Sequence, residues 1–173
     1  QIAWIRGQDV DDENGNGSSV DQRYTIADPL HSKPVAITYG AADSENPSPD
    51  VTVYMGTNAG FLHAINSANG QELFSFIPEE LLKKQIVLRS NDQAQRHVYG
   101  MDGSLSHWVH DANGDGIKPN TEDFVYLYMG MRRGGRNYYA FDVTDRAAPK
   151  IKWVIKGGTG AFAELGQSWA RPI

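Results

Sequence analysis

Short apolar runs broken by glycine turns dominate the chain, and they come in two matched sets. Residues 51–53 lead into Tyr54-Met55-Gly56-Thr57-Asn58-Ala59-Gly60, and residues 124–127 lead into Tyr128-Met129-Gly130-Met131-Arg132-Arg133-Gly134-Gly135. A second short run follows each: Phe61-Leu62-His63-Ala64-Ile65-Asn66, then Asn137-Tyr138-Tyr139-Ala140-Phe141-Asp142. After a turn (Asn69-Gly70, or residues 145–149) comes a third: Glu72-Leu73-Phe74-Ser75-Phe76, then Ile151-Lys152-Trp153-Val154-Ile155. Runs of this length with β-branched and aromatic residues, bounded by glycine, predict strands. An opening element recurs as well, in Leu30-His31-Ser32-Lys33-Pro34-Val35, in Asp102-Gly103-Ser104-Leu105 and in Gly166-Gln167-Ser168-Trp169.

Each unit therefore predicts an opening strand followed by three more. Four short antiparallel strands per repeat is the pattern of a propeller blade, which usually takes about 40–50 residues. The fold class expected is all-β, a partial propeller of about two blades plus the start of a third. The blade-like units fall at 28–77, at 97–156 and, as the opening of the next, at 166–173. Insertions lie at 78–96 and 110–123. In the first insertion, Glu79-Glu80-Leu81-Leu82-Lys83-Lys84 follows Pro78, with acids first and bases later. That order suits a short helix. Trp4, Trp108, Trp153 and Trp169 are expected to pack between blades.

Composition narrows the classes. The chain has 173 residues, 40 % hydrophobic, with 18 glycines, which suits a globular core joined by many tight turns. The formal net charge is −5, which argues against a nucleic-acid partner. Zero cysteines remove disulfides, thiolate metal sites and CxxC redox chemistry together. No stretch approaches the roughly 20 apolar residues of a membrane helix. Gln1 at the start and the strand-like opening after Ser168 both read as parts of something longer.

The sharpest chemistry is in the second insertion, Asp111-Ala112-Asn113-Gly114-Asp115-Gly116-Ile117-Lys118-Pro119-Asn120-Thr121-Glu122-Asp123. Asp111, Asn113 and Asp115 hold positions 1, 3 and 5 of a calcium loop, where alternate oxygens turn inward. Gly116 permits the sharp turn at position 6. Ile117 offers a backbone carbonyl at position 7. Glu122 at position 12 or Asp123 beside it closes the shell. The donors are all oxygens, which selects a hard cation, and Ca2+ tolerates an irregular count better than magnesium. A second acidic run, residues 9–21, places Asp12, Asn14 and Asn16 at the same spacing before Gly17, but Arg23 stands at its position 12. A solvated loop is expected there.

Other candidates carry less. His31, His63, His97, His107 and His110 form no ligand pair, and His107 and His110 share a face only on a helix, where the pattern favours a strand. Arg132, Arg133 and Arg136 read as a solvated hairpin tip. No G-x-S-x-G elbow and no phosphate loop is present.

Taken in order, Trp4-Ile5-Arg6-Gly7, Asp28-Pro29-Leu30-His31-Ser32-Lys33-Pro34, Tyr54-Met55-Gly56-Thr57-Asn58-Ala59-Gly60-Phe61-Leu62-His63-Ala64, Met101-Asp102-Gly103-Ser104 and Gly134-Gly135-Arg136-Asn137-Tyr138-Tyr139-Ala140-Phe141-Asp142-Val143-Thr144 resemble the C-terminal domain of the PilY/PilC family of type IV pilus biogenesis factors and tip-associated adhesins. The resemblance runs along nearly the whole chain. It implies a modified, quinoprotein-like β-propeller, exported through the periplasm to the outer membrane or pilus tip. It implies a non-enzymatic role in pilus extension against retraction and in attachment. Pilus components and a host-cell or surface receptor are the implied partners. The family's calcium loop carries over onto Asp111, Asn113, Asp115 and an acid at Glu122 or Asp123. The alternative is a fragment of a quinoprotein dehydrogenase using pyrroloquinoline quinone with calcium, for which the insertion at a blade edge is the wrong place.

Overall fold

The structure, a computed structural model, describes residues 1–23, 26–40, 47–92 and 96–173. It is built from two four-stranded antiparallel sheets with little helix. The first sheet holds β1 (Val35–Gly40), β2 (Asp50–Gly56), β3 (Leu62–Asn66) and β4 (Glu72–Phe76). The second holds β5 (Leu105–His110), β6 (Phe124–Gly130), β7 (Tyr138–Asp142) and β8 (Lys150–Ile155). Strand order follows chain order in both sheets, so every connection within a sheet joins spatial neighbours.

The two sheets share one register. Tyr54 pairs with Val35 on one side and Ala64 on the other, and Tyr128 pairs with Ser106 and Ala140. Phe74 sits across from Ala64 as Trp153 sits across from Ala140. The bulge recurs too, skipping Leu73 in β4 and Lys152 in β8. An extra unpaired residue at the same place in both sheets gives their last strands the same local twist.

Alternation along the strands separates the faces. Ile37, Tyr39, Tyr54, Leu62 and Ala64 are buried on the face of the first sheet that looks at the second. Leu105, Val125, Leu127, Met129, Tyr139 and Phe141 answer from the second. Phe76 meets the rings of both Tyr139 and Phe141 edge-on across this seam, at 5.8 and 5.1 Å. Connecting segments complete the core with Leu81, Met101, Ile117, Met131 and Val143.

The seam tolerates no extra atoms at its glycines. A Cβ on Gly56 would lie 2.3 Å from the Met101 carbonyl oxygen, and one on Gly103 would lie 2.0 Å from that of Gly130. Both are backbone clashes, so the backbones approach as closely as they do because side chains are missing. The Tyr-Met-Gly triplets are the ends of β2 and β6, and the turns follow them.

Three expectations need correction. The helix of the first insertion is displaced: residues 79–81 make one tight 3-10 turn, and the α-helix, α2, is Lys84–Ser90. Its place is set by burial of Leu81 and Gln85, one turn apart, with the Gln85 amide donating to the Ala59 carbonyl at 2.6 Å. Lys84 sits at the start of α2, not at its end, because its ammonium donates to the carbonyls of Tyr99 and Gly134. Residues 93–95 of that insertion, and residues 41–46 between β1 and β2, lie outside the described residues. Second, of the four tryptophans only Trp4 is buried. Trp108, Trp153 and Trp169 are exposed: Trp108 and Trp153 lie on the face of the second sheet opposite the seam, and Trp169 lies outside the strands against Arg132 and Arg133. Third, residues 169–173 form no strand. A short helix at the start, α1 (Ile2–Ile5), has no clear sequence signal.

Leu127→Ala removes a fully buried side chain from the centre of the seam. Urea unfolding should show a loss of about 2–5 kcal/mol, while Lys150→Ala, at an exposed position, should stay within about 0.5 kcal/mol.

Candidate metal centre

The insertion between β5 and β6 gathers three carboxylates. Candidate ligand oxygens of Asp111, Asp115 and Asp123 all lie within 4.8 Å of one another. Local sequence explains the curl. Asp111 accepts the N–H of Gly114 at 2.7 Å and that of Gly116 at 3.0 Å. Gly114 and Gly116 both have left-handed backbone, φ 71° and 89°, a conformation glycine adopts freely. From the far end, Asp123 accepts the N–H of Ala112 and of Lys118, each at 2.9 Å. Thr121 steadies that turn, donating its hydroxyl to the Lys118 carbonyl and accepting the Asp123 N–H.

The loop is anchored on both sheets. Asp123 immediately precedes β6, while the Ile117 N–H donates 2.7 Å to the Tyr39 carbonyl of β1. The Ile117 side chain enters the core. A Cβ at Gly116 would lie 2.7 Å from that same Tyr39 oxygen, so position 6 is glycine for a close approach as well as for its φ. The Tyr39 hydroxyl is bound in turn to that of Tyr54 (2.6 Å) and to the Val143 carbonyl (2.8 Å). The Arg146 guanidinium lies 4.2 Å from the centre of the Tyr39 ring and pairs with Asp50. Loop, first sheet and the turn after β7 are thus tied at one place.

The charges are partly balanced from within. The Lys118 ammonium lies 2.5 Å from Asp115. Its pKa is raised, first by that hydrogen bond and then by the charges of Asp115, Asp123 and Asp111. Asp123 is held below the usual carboxylate range by the backbone N–H groups of Ala112 and Lys118, so it is ionised at neutral pH. The donor set suits a hard cation. Oxygens bound to one calcium at about 2.3–2.6 Å lie at most about 5 Å apart, and these three carboxylates already meet that limit. Their N–H partners occupy one lone pair per oxygen and leave another free.

The residues expected from the sequence divide clearly. Asp111, Asp115 and Asp123 come together. Glu122 is exposed and is not a member of the three-carboxylate group, and Asn113 is exposed on the loop. Strand alternation explains the difference between the adjacent acids: entry into β6 turns Asp123 inward and Glu122 out. Residues 9–21 make a mostly exposed loop closed on itself. Asn14 and Asn16 both donate to Asp21 (3.0 and 2.7 Å), and buried Asp9 accepts the N–H groups of Glu13 and Asn14. Three of the five histidines each meet one acid: His31 with buried Asp102 at 3.0 Å, His63 with Glu72, His97 with Asp28. The His31–Asp102 pair joins the two opening segments, and no sequence spacing announces it. Arg133 is not merely solvated; it stacks on Tyr99 and Trp169.

No protein-family model matches the chain. The type IV pilus biogenesis factor PilY1 of Pseudomonas aeruginosa is 35 % identical over 121 residues, covering 69 % of this chain. A PilY1 homolog from Xylella fastidiosa is 27 % identical over 198 residues, covering all of it. The chain belongs to the PilY1 family of type IV pilus biogenesis factors. It spans 15 % of the Xylella relative's length and 10 % of the Pseudomonas one. Among solved structures, the Pseudomonas aeruginosa PilY1 C-terminal domain matches 75 % of the chain and 23 % of its own, with 28 % identity and a TM-score of 0.49. No helix among the described residues is long and apolar enough to cross a membrane.

Because the Asp123 pKa is lowered in the fold, its contribution to stability is present above the ordinary aspartate value of about 3.9 and is lost as pH falls through the lowered value. Asp123→Asn should therefore be less stable than the parent chain at pH 7, with the gap closing on acidification toward pH 3. Thermal unfolding of both across pH 3–7, with a chelator present, measures this.

Proposed function

We propose that this chain is a calcium-binding module of a type IV pilus biogenesis and adhesion protein, a partial β-propeller that acts without catalysis. Membership of the PilY1 family supports the pilus assignment. The convergence of Asp111, Asp115 and Asp123 at an insertion tied to both sheets is the observation that carries the calcium reading. The four-stranded order of each sheet and the shared register support the propeller.

Asp111 and Asp123 would hold Ca2+ from the two ends of the loop and Asp115 from its middle. Asn113 and the Ile117 carbonyl are the further oxygen donors in this reading, with Asp123 in place of Glu122 as the closing acid. Calcium supplies divalent charge that relieves the repulsion among the three carboxylates. Lys118 supplies part of that relief in its absence, so its ammonium competes with the ion for Asp115. Because Ile117 docks on Tyr39, ordering the loop also orders the junction between the sheets. Binding energy thereby stabilises the surface that pilus components or a receptor would meet. A pilus-associated site at the cell surface, reached by export, follows from the same reading.

Isothermal calorimetry tests it. The parent chain should bind one Ca2+ saturably, and Asp115→Ala and Asp111→Ala should lose at least tenfold in affinity. Lys118→Gln, which removes the competing cation, should gain affinity. Absence of saturable binding by the parent chain refutes the calcium reading. In the intact protein, Asp115→Ala should alter the number of surface pili if calcium governs extension against retraction.

A further inference from the structure

The turn after β6 departs from the repeat. In the first sheet the matching turn is Thr57-Asn58-Ala59-Gly60, and in the second it is Met131-Arg132-Arg133-Gly134. Asn58 is buried and serves the fold: its amide donates to Asp28 at 2.7 Å and accepts the Gly100 N–H at 3.3 Å. Arg132 stands in its place, half-buried, with left-handed backbone at φ 51°. The other described non-glycine residues with positive φ are Asp12, Asn91 and Asn120, whose short polar side chains tolerate it. An arginine adopts that backbone only with strain, and strain of this kind gathers at functional sites.

Internal ion pairing does not explain it. Arg23, Arg89 and Arg146 bind Glu13, Asp11 and Asp50 respectively, whereas among the described residues neither Arg132 nor Arg133 meets a carboxylate. Both guanidinium groups lie over aromatic rings instead. Arg132 is 5.3 Å from the centre of the Trp169 ring, and Arg133 is 5.8 Å from it and 5.1 Å from that of Tyr99. Arg133 also donates to the Tyr99 hydroxyl at 2.8 Å. The His97 ring meets Tyr99 edge-on at 4.7 Å, and Asp28 closes that end, 3.6 Å from His97. The row of His97, Tyr99, Arg133, Trp169 and Arg132 is drawn from three separate segments of the chain.

The row is built without a ligand. Ser168 accepts the Met131 N–H on its hydroxyl at 2.7 Å and the Arg132 N–H on its carbonyl at 3.2 Å, and its own N–H donates to the Gly135 carbonyl at 3.2 Å. These bonds hold the backbone of Trp169 beside the arginines, while its side chain stays 51 % exposed. A guanidinium held over a ring keeps its N–H edge for a carboxylate, which it grips as a planar fork. The chain as a whole carries −5, so the cationic row is no by-product of a basic composition.

We infer that Arg132, Arg133, Tyr99 and Trp169 form a docking site for an acidic segment of a partner polypeptide. Its carboxylates bind the two guanidinium groups, and its aliphatic stem lies on the Trp169 ring. Trp, Tyr and Arg are the residue types that carry most of the binding energy at protein interfaces, which favours a polypeptide over an acidic sugar. A row already fixed by backbone bonds loses less freedom on binding than a mobile one. The site stands at the end of β6 opposite the aspartate loop, and the inference is independent of calcium.

Fluorescence anisotropy of a fluorescein-labelled hexaglutamate peptide with the full-length protein tests this, at low salt and with a chelator present so that calcium bridges nothing. The parent protein should bind the peptide saturably. Arg132→Gly should unfold at no lower temperature than the parent, since glycine adopts φ 51° freely, and should bind about tenfold more weakly. Arg133→Lys keeps the charge but loses the planar fork, and should also weaken binding about tenfold. Lys150→Gln, which removes one positive charge from an exposed position in β8, should bind as the parent does. Absence of saturable binding, unchanged binding by both arginine variants, or equal weakening by Lys150→Gln overturns the inference. Tighter binding of a fluorescein-labelled hexagalacturonate, which carries its carboxylates on a sugar backbone, overturns it in favour of an acidic polysaccharide. If Arg132→Gly fails to fold, Arg133→Lys decides alone.

Discussion

One seam organises the molecule. A single four-stranded sheet has two faces and cannot bury either by itself, so the first sheet becomes stable only when Ile37, Tyr54 and Leu62 are covered by Leu105, Leu127 and Met129 of the second. Burial at about 25 cal/mol per Å2 of apolar surface favours that contact over any local preference of the strands. The seam also dictates where glycine must stand. At Gly56 and Gly103 the neighbouring backbone occupies the space of a Cβ, so the chain entering the second sheet lies directly on the end of the first. The Tyr39–Tyr54 hydroxyl pair sits inside the same contact. Burial pushes the Tyr54 phenol up to about 12 and raises that of Tyr39 further, so both stay protonated donors and hold the seam from within.

The loop that gathers Asp111, Asp115 and Asp123 depends on that seam although it belongs to the second sheet. Its middle is held by Ile117, whose N–H and side chain both end on the first sheet or in the core. Its end is held by Asp123 at the threshold of β6. The aspartates therefore converge because two elements far apart in the sequence fix the ends of a short glycine-containing segment. An ion bound there would act on the junction of the sheets and not on a free surface turn.

Much of the architecture was legible in the chain. The paired runs around Tyr-Met-Gly marked the strands of both sheets, because a strand's period and its bounding turns are local properties. Asp111, Asn113 and Asp115 at alternate positions, with Gly114 and Gly116 beside Asp115, marked a curled acidic loop for the same reason. What was not legible was set at a distance. Glu122 and Asp123 are adjacent and chemically alike, and only the entry into β6 turns one inward. The helical insertion shifted because Gln85 found the Ala59 carbonyl and Lys84 found those of Tyr99 and Gly134. The tryptophans looked like core residues by size, but a large apolar side chain declares only that it can be buried, not against what.

The sequence by itself determined the strand pattern, the repeat, the oxygen-only chemistry of the loop and the positions where glycine is needed for a turn, since each depends on neighbours within a few residues. The tertiary structure alone decided which face of each sheet is covered, that Asp123 and not Glu122 joins Asp111 and Asp115, and that His31 meets Asp102. Those outcomes depend on which segments meet across the seam. Packing selects that arrangement from many that the same local pattern would permit.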